Sequence, residues 1–297
     1  MNTIVFRYNK CWLLVVFFMM LSFIGKAQNP GDVVQNYGQG MSSGIEGFNS
    51  EVLSIKLQPD GKIIVGGHFT VYRGTTENKI IRLNPDGTKD ATFNTGIGFS
   101  GDVSSIALQP DGKIIIGGYF SAYNGTSANR IIRLNPDGTK DTSFNTGTGF
   151  SADVYAIALQ PDGKIIVAGG FSMYNGITAH HIVRLNPDGT KDTSFNAGNL
   201  FSNLIVYAAA LQSDGKIIIG GSLFTVSGAS NIWISRLNTD GTQDMSFNAE
   251  TDVNYGIFAI SLQPDGKIIV GGRFTQYDGT VEKSIIRLNT NGTKDVS

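Results

Sequence analysis

The sequence predicts an all-β chain folded as a β-propeller of five units, each about 51 residues long and four strands deep. Two repeated strings, one kind of turn and the glycine content predict it. Leu-Gln-x-Asp-Gly-Lys-Ile-Ile recurs with its lysine at Lys62, Lys113, Lys164, Lys216 and Lys267. Arg-Leu-Asn-x-(Asp/Asn)-Gly-Thr recurs with its arginine at Arg82, Arg133, Arg184, Arg236 and Arg287, and both series step by 51, 51, 52 and 51 residues. Two anchors keeping one period mean one structural unit stacked on itself. Seven of the eight prolines stand in Pro-Asp-Gly, and the 38 glycines in 297 residues follow no collagen period, which implies many turns and short strands.

The second unit shows the expected elements. Val103–Gln109 reads as a first strand and Pro110-Asp111-Gly112 as a turn, with Asp60, Asp111 and Asp162 as turn carboxylates. Lys113–Phe120 is a β-branched second strand ending in glycines. The pairs 66–67, 117–118, 169–170, 220–221 and 271–272 therefore mark bulges or close backbone approach. A polar loop, Ser121–Asn129, leads to a third strand, Arg130–Asn135, and after a second Pro-Asp-Gly turn Asp141–Phe144 reads as a short fourth strand. No window carries a helical pattern. A β-solenoid is the rival architecture, but its coils are shorter and hairpin turns of this kind demand antiparallel neighbours.

The ends read differently. Residues 1–27 have the form of a secretory signal peptide: Arg7 and Lys10, then an apolar run Cys11–Ile24 broken only by Ser22, then Gly25 and Ala27 before a cut at Gln28. The run is shorter than the ~20 residues that span a bilayer. The expectation is export to the cell surface or medium, with residues 28–297 as a single propeller domain and no membrane span after cleavage. The mature chain has 20 basic against 24 acidic residues, net charge −4, and loses the sole cysteine, Cys11. That excludes thiol chemistry and, with no basic block, a nucleic-acid partner. The segment Asp32–Gly40 matches Asp90–Gly98 at Asp, Asn, Gly and Gly, so it is expected to supply the strand that the last unit lacks and to close the ring.

The strings LQPDGKIIVGG.F and IIRLNPDGT.D.SFN resemble the delta-60 repeat proteins of bacteria over residues 32–297. The resemblance implies a secreted or surface-exposed propeller and no particular activity.

Candidate chemistry is sparse. Asn84, Asp86, Gly87 and Asp90 resemble the later positions of a calcium loop. Arg82 holds the first position in every copy, so a strand-end Arg–Asp network is expected in place of an ion. His68, His180 and His181 form no metal-ligand pattern, and no cofactor or metal is expected. The column His68, Tyr119, Gly170, Ser222, Arg273 varies while its neighbours stay fixed, as a binding surface would. Glu51, Asp102 and Asp153 precede the first strands of units one to three, whereas Ile205 and Gly256 stand there in units four and five. The three acids are expected to crowd one part of the channel mouth. Glu51, Asp102, Asp153, His68, Tyr119 and Arg273 are the candidate ligand-binding residues, and the loops 71–79, 121–129, 172–180, 225–232 and 275–283 the candidate contact surface. Tyr72, Tyr123, Tyr174 and Tyr277 recur and are expected to pack at unit edges with their hydroxyls bonded, rather than to stack on sugars.

Two functions fit. One is a non-enzymatic binding or structural module, monomeric, presented to an extracellular protein or glycan. The other is a glycan hydrolase using the acidic cluster. Near-identical environments give an acid and a base no means of differing, which favours binding and names no catalytic residue.

Overall fold

The computed structural model describes residues 5–8, 11–14, 47–198, 201, 204–223, 232–249, 256–277 and 280–296. Val5–Tyr8 pairs antiparallel with Cys11–Leu14. The other described residues form five repeats of one antiparallel sheet, without helix. The inner strands are Val52–Leu57, Asp102–Leu108, Val154–Leu159, Leu204–Leu211 and Ile257–Leu262. The middle strands are Ile63–Gly67, Ile114–Tyr119, Ile165–Gly169, Ile217–Leu223 and Ile268–Gly272, and the third strands Ile80–Leu83, Ile131–Leu134, Ile182–Leu185, Ile232–Leu237 and Ile285–Leu288. The five-unit propeller read from the repeats is the observed architecture.

Two elements differ from the sequence reading. The outermost strand of each unit is a single bridge, Leu134↔Lys140 in the second, because Asp141–Phe144 turns back. There the Asp141 carboxylate accepts from the Ser143 N–H at 2.9 Å and its hydroxyl at 2.7 Å, a local bond that competes with the ladder. The polar loop is not bare either. Ala122–Tyr123 pairs with Thr126–Ser127 through Asn124-Gly125, at φ 45° and 73°, the left-handed pair that a two-residue hairpin needs. Tyr123 is buried and its hydroxyl donates to Gly138 O at 2.5 Å; Tyr72 and Tyr277 do the same to Gly87 O and Gly292 O. The recurring tyrosines therefore tie each hairpin down along the outer edge of its unit and offer no face to a sugar.

The core lies between units rather than within them. Ile64 and Ile80 of the first unit pack in one cluster with Val103, Ile106, Ile114 and Ile132 of the second. The first glycine of each pair permits this. A Cβ on Gly66 would lie 2.4 Å from Val103 Cγ1 and 3.0 Å from Ile106 Cδ1, and Gly117 meets Val154 and Ile157 at the same distances. In the third unit the equivalent pair is Ala168–Gly169, with Gly170 one place further on. The fourth unit answers Ala168 with Ala209, where the other units carry isoleucine. A larger residue on one side of that joint is matched by a smaller one on the other, as close packing requires.

A second device crosses each joint. The Arg133 guanidinium donates to Asp141 (2.7 Å), to Ser143 (3.2 Å) and to Pro187 O of the next unit (2.6 Å), and Lys113 Nζ lies 3.0 Å from the same carboxylate. Arg82, Arg184 and Arg236 repeat the bonds, so the arginine occupies the place a calcium ligand would need. Burial disfavours the charged form of Asp141, but bonds from Ser143, Lys113 and Arg133 overcome it and hold the carboxyl well below the usual range.

The units do not merge into one closed sheet, and Asp32–Gly40, the expected closing segment, lies outside the described residues. No core cluster of described residues joins the fifth unit to the first.

Gly117→Ala is expected to cost about 1–3 kcal/mol by overpacking, and Ile157→Ala about 2–5 kcal/mol by leaving a cavity. The double variant should recreate the Ala168–Ala209 pairing and cost less than the sum by at least about 0.5 kcal/mol in urea denaturation; strict additivity would show that the two residues do not share a joint. For Asp141 the folded carboxyl is depressed, so the unfolded chain binds the proton first. Its stabilisation is complete above the ordinary aspartate range, about pH 4, and is lost as pH falls below it. Asp141→Asn should lose about 3 kcal/mol at pH 7 and show a shallower fall in stability on acidification than the natural chain.

Candidate functional site

Each inner strand runs from one end of the unit to a Pro-Asp-Gly turn at the other, Ser213-Asp214-Gly215 in the fourth unit, and the middle strand returns. Four columns of residues therefore gather at one rim: one at the start of the inner strand, one two residues further on, one just after Gly67 and its equivalents, and one at the start of the third strand. Taken through the units they read Glu51, Asp102, Asp153, Ile205, Gly256; Leu53, Ser104, Tyr155, Tyr207, Phe258; His68, Tyr119, Gly170, Ser222, Arg273; and Lys79, Arg130, His181, Trp233, Ser284. All four vary.

Two backbone features aim these side chains. The ladder between inner and middle strands shifts register between Val52 and Ser54, and at the equivalent place in every unit, so Leu53, Ser104, Tyr155, Tyr207 and Phe258 are bulge residues. A bulge re-aims the side chain it carries. The second glycine of each pair makes room: a Cβ on Gly118 would lie 2.0 Å from Asp102 O. In four of the five units the fourth column is left-handed without being glycine, with φ 72° at Lys79, 65° at Arg130, 62° at His181 and 66° at Ser284, whereas Trp233 lies within its strand. Its backbone is fixed on both sides, Arg130 N–H donating to Phe120 O (2.9 Å) and Arg130 O accepting from Gly118 N–H (3.1 Å). A strained conformation recurring in several units, carrying several different side chains, points to a site.

The candidate residues meet across unit boundaries. His68 Nδ1 lies 3.3 Å from Glu51 Oε2 and its Nε2 3.4 Å from Asp102 Oδ2 of the next unit. Lys79 Nζ lies 2.9 Å from Asp102 Oδ1 and donates to His68 O. The Ser50 hydroxyl donates to Glu51 at 2.7 Å and, with His68, lowers its carboxyl from the ordinary range. Asp153 accepts from the Tyr155 hydroxyl at 3.2 Å and has Arg130 Nε at 3.9 Å. Arg130 also lies 5.3 Å from the centroid of the exposed Tyr119 ring. Burial, then Asp153, push the Tyr155 phenol up to about 12. Tyr155 touches Tyr207 and Tyr207 touches Phe258, both at 5.1 Å between centroids, and Arg273 sits 5.9 Å above Phe258.

Glu51, His68 and Asp102 thus form one cluster, and Tyr119 and Asp153 meet through Arg130. Arg273 stands at the far end of the aromatic strip. The acids do not present bare carboxylates, since each contacts a cationic or hydrogen-bonding side chain. Lys79, Arg130, Tyr155, Tyr207 and Phe258 were not singled out by sequence, although superposing the five units would have shown their columns to vary. The described candidate loops divide: hairpins such as 122–127 lie along the outer edge, where Lys140 Nζ donates to Ser127 O at 3.0 Å, and Lys79 and Arg130 bring the chain back to the rim, while 225–231 and 278–279 lie outside the described residues. Among the described residues no three His, Cys, Asp or Glu side chains are grouped to hold a metal ion, and no helix is long and apolar enough to cross a membrane.

The segments 58–93, 109–144, 160–195, 212–247 and 263–297, more than half of the chain, each match the beta-propeller family described as a domain of unknown function, DUF5122. The chain belongs to this family. No curated protein matches it in sequence. Solved structures similar to this DUF5122 propeller include a gluconolactonase from Xanthomonas campestris (14% identity, TM-score 0.44, 74% of this chain and 69% of that one). A puromycin hydrolase (13%, 0.47, 90% and 40%) and an endo-arabinase from Bacteroides thetaiotaomicron (14%, 0.38, 79% and 91%) are further examples.

If the left-handed column serves the rim rather than the fold, Arg130→Gly should stay within about 1 kcal/mol of the natural chain in urea denaturation, relief of backbone strain offsetting glycine's extra chain entropy. A loss above about 2 kcal/mol would assign Arg130 to the fold.

Proposed function

We propose that this propeller is an exported, non-enzymatic binding module of the delta-60 kind that takes a glycan at its rim. The gathering of all four variable columns at one end of an otherwise repetitive scaffold carries this reading. Units three to five supply a continuous aromatic strip, Tyr155–Tyr207–Phe258. Units one to three supply charged and hydrogen-bonding groups beside it, Lys79, Asp102, Arg130 and Asp153. An apolar ring face next to polar groups suits a sugar, which has both kinds of surface. The hydrolase reading asks more of these acids. A proton-donating carboxyl needs surroundings that favour its neutral form, and Asp102 and Asp153 each face a cation.

A glycan array probed with the mature chain, followed by titration of any hit, tests the reading. Tyr207→Ala should weaken binding about tenfold, a loss of ~1.4 kcal/mol, whereas Tyr174→Phe, which alters a buried edge residue, should leave it unchanged. Turnover of a polysaccharide, abolished by Asp102→Asn or Asp153→Asn, would replace binding by hydrolysis. Export is tested by N-terminal sequencing of secreted material, with Gln28 expected as the first residue.

A further inference from the structure

The first two units put a cation at the same place on the rim and use it differently. In the first, Lys79 Nζ lies 2.9 Å from Asp102 Oδ1 and donates to His68 O at 2.9 Å, so the protein itself engages the ammonium. In the second, the equivalent carboxylate is Asp153, but Arg130 Nε stands 3.9 Å from Asp153 Oδ1, too far for a hydrogen bond. Asp153 accepts instead from the Tyr155 hydroxyl at 3.2 Å. Burial and then Asp153 push that phenol up to about 12, so it keeps its proton and stays the donor. Arg130 Nε is shielded from solvent and has no hydrogen-bond partner among the described residues.

A charged donor withdrawn from water without an acceptor is costly, and this one is held in place rather than left to swing away. The Arg130 backbone is left-handed, φ 65°, and bonded on both sides, its N–H donating to Phe120 O and its carbonyl accepting from Gly118 N–H. The guanidinium lies 5.3 Å from the centroid of the exposed Tyr119 ring. On the other side the rim is open. Gly170 stands where the other units carry His68, Tyr119, Ser222 or Arg273, and among the described residues a Cβ there would meet only Tyr155 Cε2, at 3.8 Å. Tyr155 links the two features. Its hydroxyl bonds the carboxylate beside Arg130, its ring borders the space that Gly170 leaves, and Tyr207 lies beyond it at 5.1 Å.

We propose that Arg130 is the specificity residue of the rim: it selects an acidic glycan by taking the carboxylate of a uronic acid residue, whose sugar ring lies along Tyr155 and Tyr207. This rests on the glycan reading above and narrows it. A carboxylate matches the planar fork of guanidinium donors with two parallel bonds. It also brings a single charge, whereas Asp153, 3.9 Å from the guanidinium, opposes a ligand of denser negative charge such as a sulfated chain.

Calorimetric titration of the chain with paired oligosaccharides tests this. The probes are short oligomers of galacturonate, mannuronate, guluronate and hyaluronan, each beside the same oligomer with its carboxyl groups reduced to alcohols. A sulfated dextran oligomer and a single-stranded oligothymidylate serve as other anions. At least one uronide should bind about tenfold tighter than its reduced form. Arg130→Gln should remove that margin, bringing the acid form down to the affinity of the reduced one. Arg130→Lys, which keeps the charge and loses the fork, should recover only part of it, and Tyr207→Ala should weaken both forms alike. Acid and reduced forms bound equally would overturn the proposal and leave the glycan reading standing, whereas binding of neither form in any pair would overturn both. Tighter binding of the sulfated chain or of oligothymidylate than of every uronide would also overturn it. So would Arg130→Gln weakening both members of a pair alike, which would make the arginine structural.

Discussion

A missing side chain governs how this protein stacks. Where the middle strand of one unit meets the inner strand of the next, the first unit offers glycine because the second brings Val103 and Ile106, or their equivalents, to within a methyl group of its backbone. Burial of β-branched side chains across that contact is the main source of stability, since each unit alone has only one thin sheet and nowhere to hide both its faces. The arginine that bonds both its own aspartate and the next unit's turn carbonyl adds direction to what is otherwise a non-directional attraction. Close packing and a fixed bond together leave little freedom in how one unit follows another.

That constraint is concentrated in the body of the sheets and at their Pro-Asp-Gly ends. At the opposite end the bulge and the left-handed residue lift side chains out of the joint, and there the five units diverge. The second glycine of each pair links the two regions. Its absent Cβ admits the carbonyl of Glu51, Asp102 or Asp153 and so fixes where each rim residue begins. Fixed backbone with free side chains is the arrangement by which a repetitive scaffold presents a surface of its own. Here that surface is charged toward the first units and aromatic toward the last.

The period, the turns and the buried tyrosines were legible in the sequence because each rests on local chemistry. Asp111 accepts from the Lys113 N–H two residues on, as the turn demands, and the Tyr123 hydroxyl finds a carbonyl, as a buried phenol must. The rim was legible only in part. Alternation along a strand does not reveal a one-residue bulge, so the side-chain direction of Tyr155, Tyr207 and Phe258 was hidden. Nor does a lysine or arginine advertise a positive φ that tertiary bonds impose on it. The fourth strand was over-read because Asp141 satisfies the backbone that a strand would have used. The exchange of Ala168 for glycine, answered by Ala209 in the next unit, becomes meaningful only once the two are placed in one core cluster.

One set of columns holds the propeller together while another, at the rim, is left free to vary. A saturation scan of the whole chain, reading the abundance of folded protein, tests this most directly. Columns at the joint, such as Gly117, Val154, Arg133 and Asp141, are predicted to tolerate almost nothing, whereas Glu51, His68, Lys79, Arg130, Tyr207 and Arg273 are predicted to tolerate most substitutions. Rim columns as intolerant as the joint would contradict the claim and return those residues to the fold.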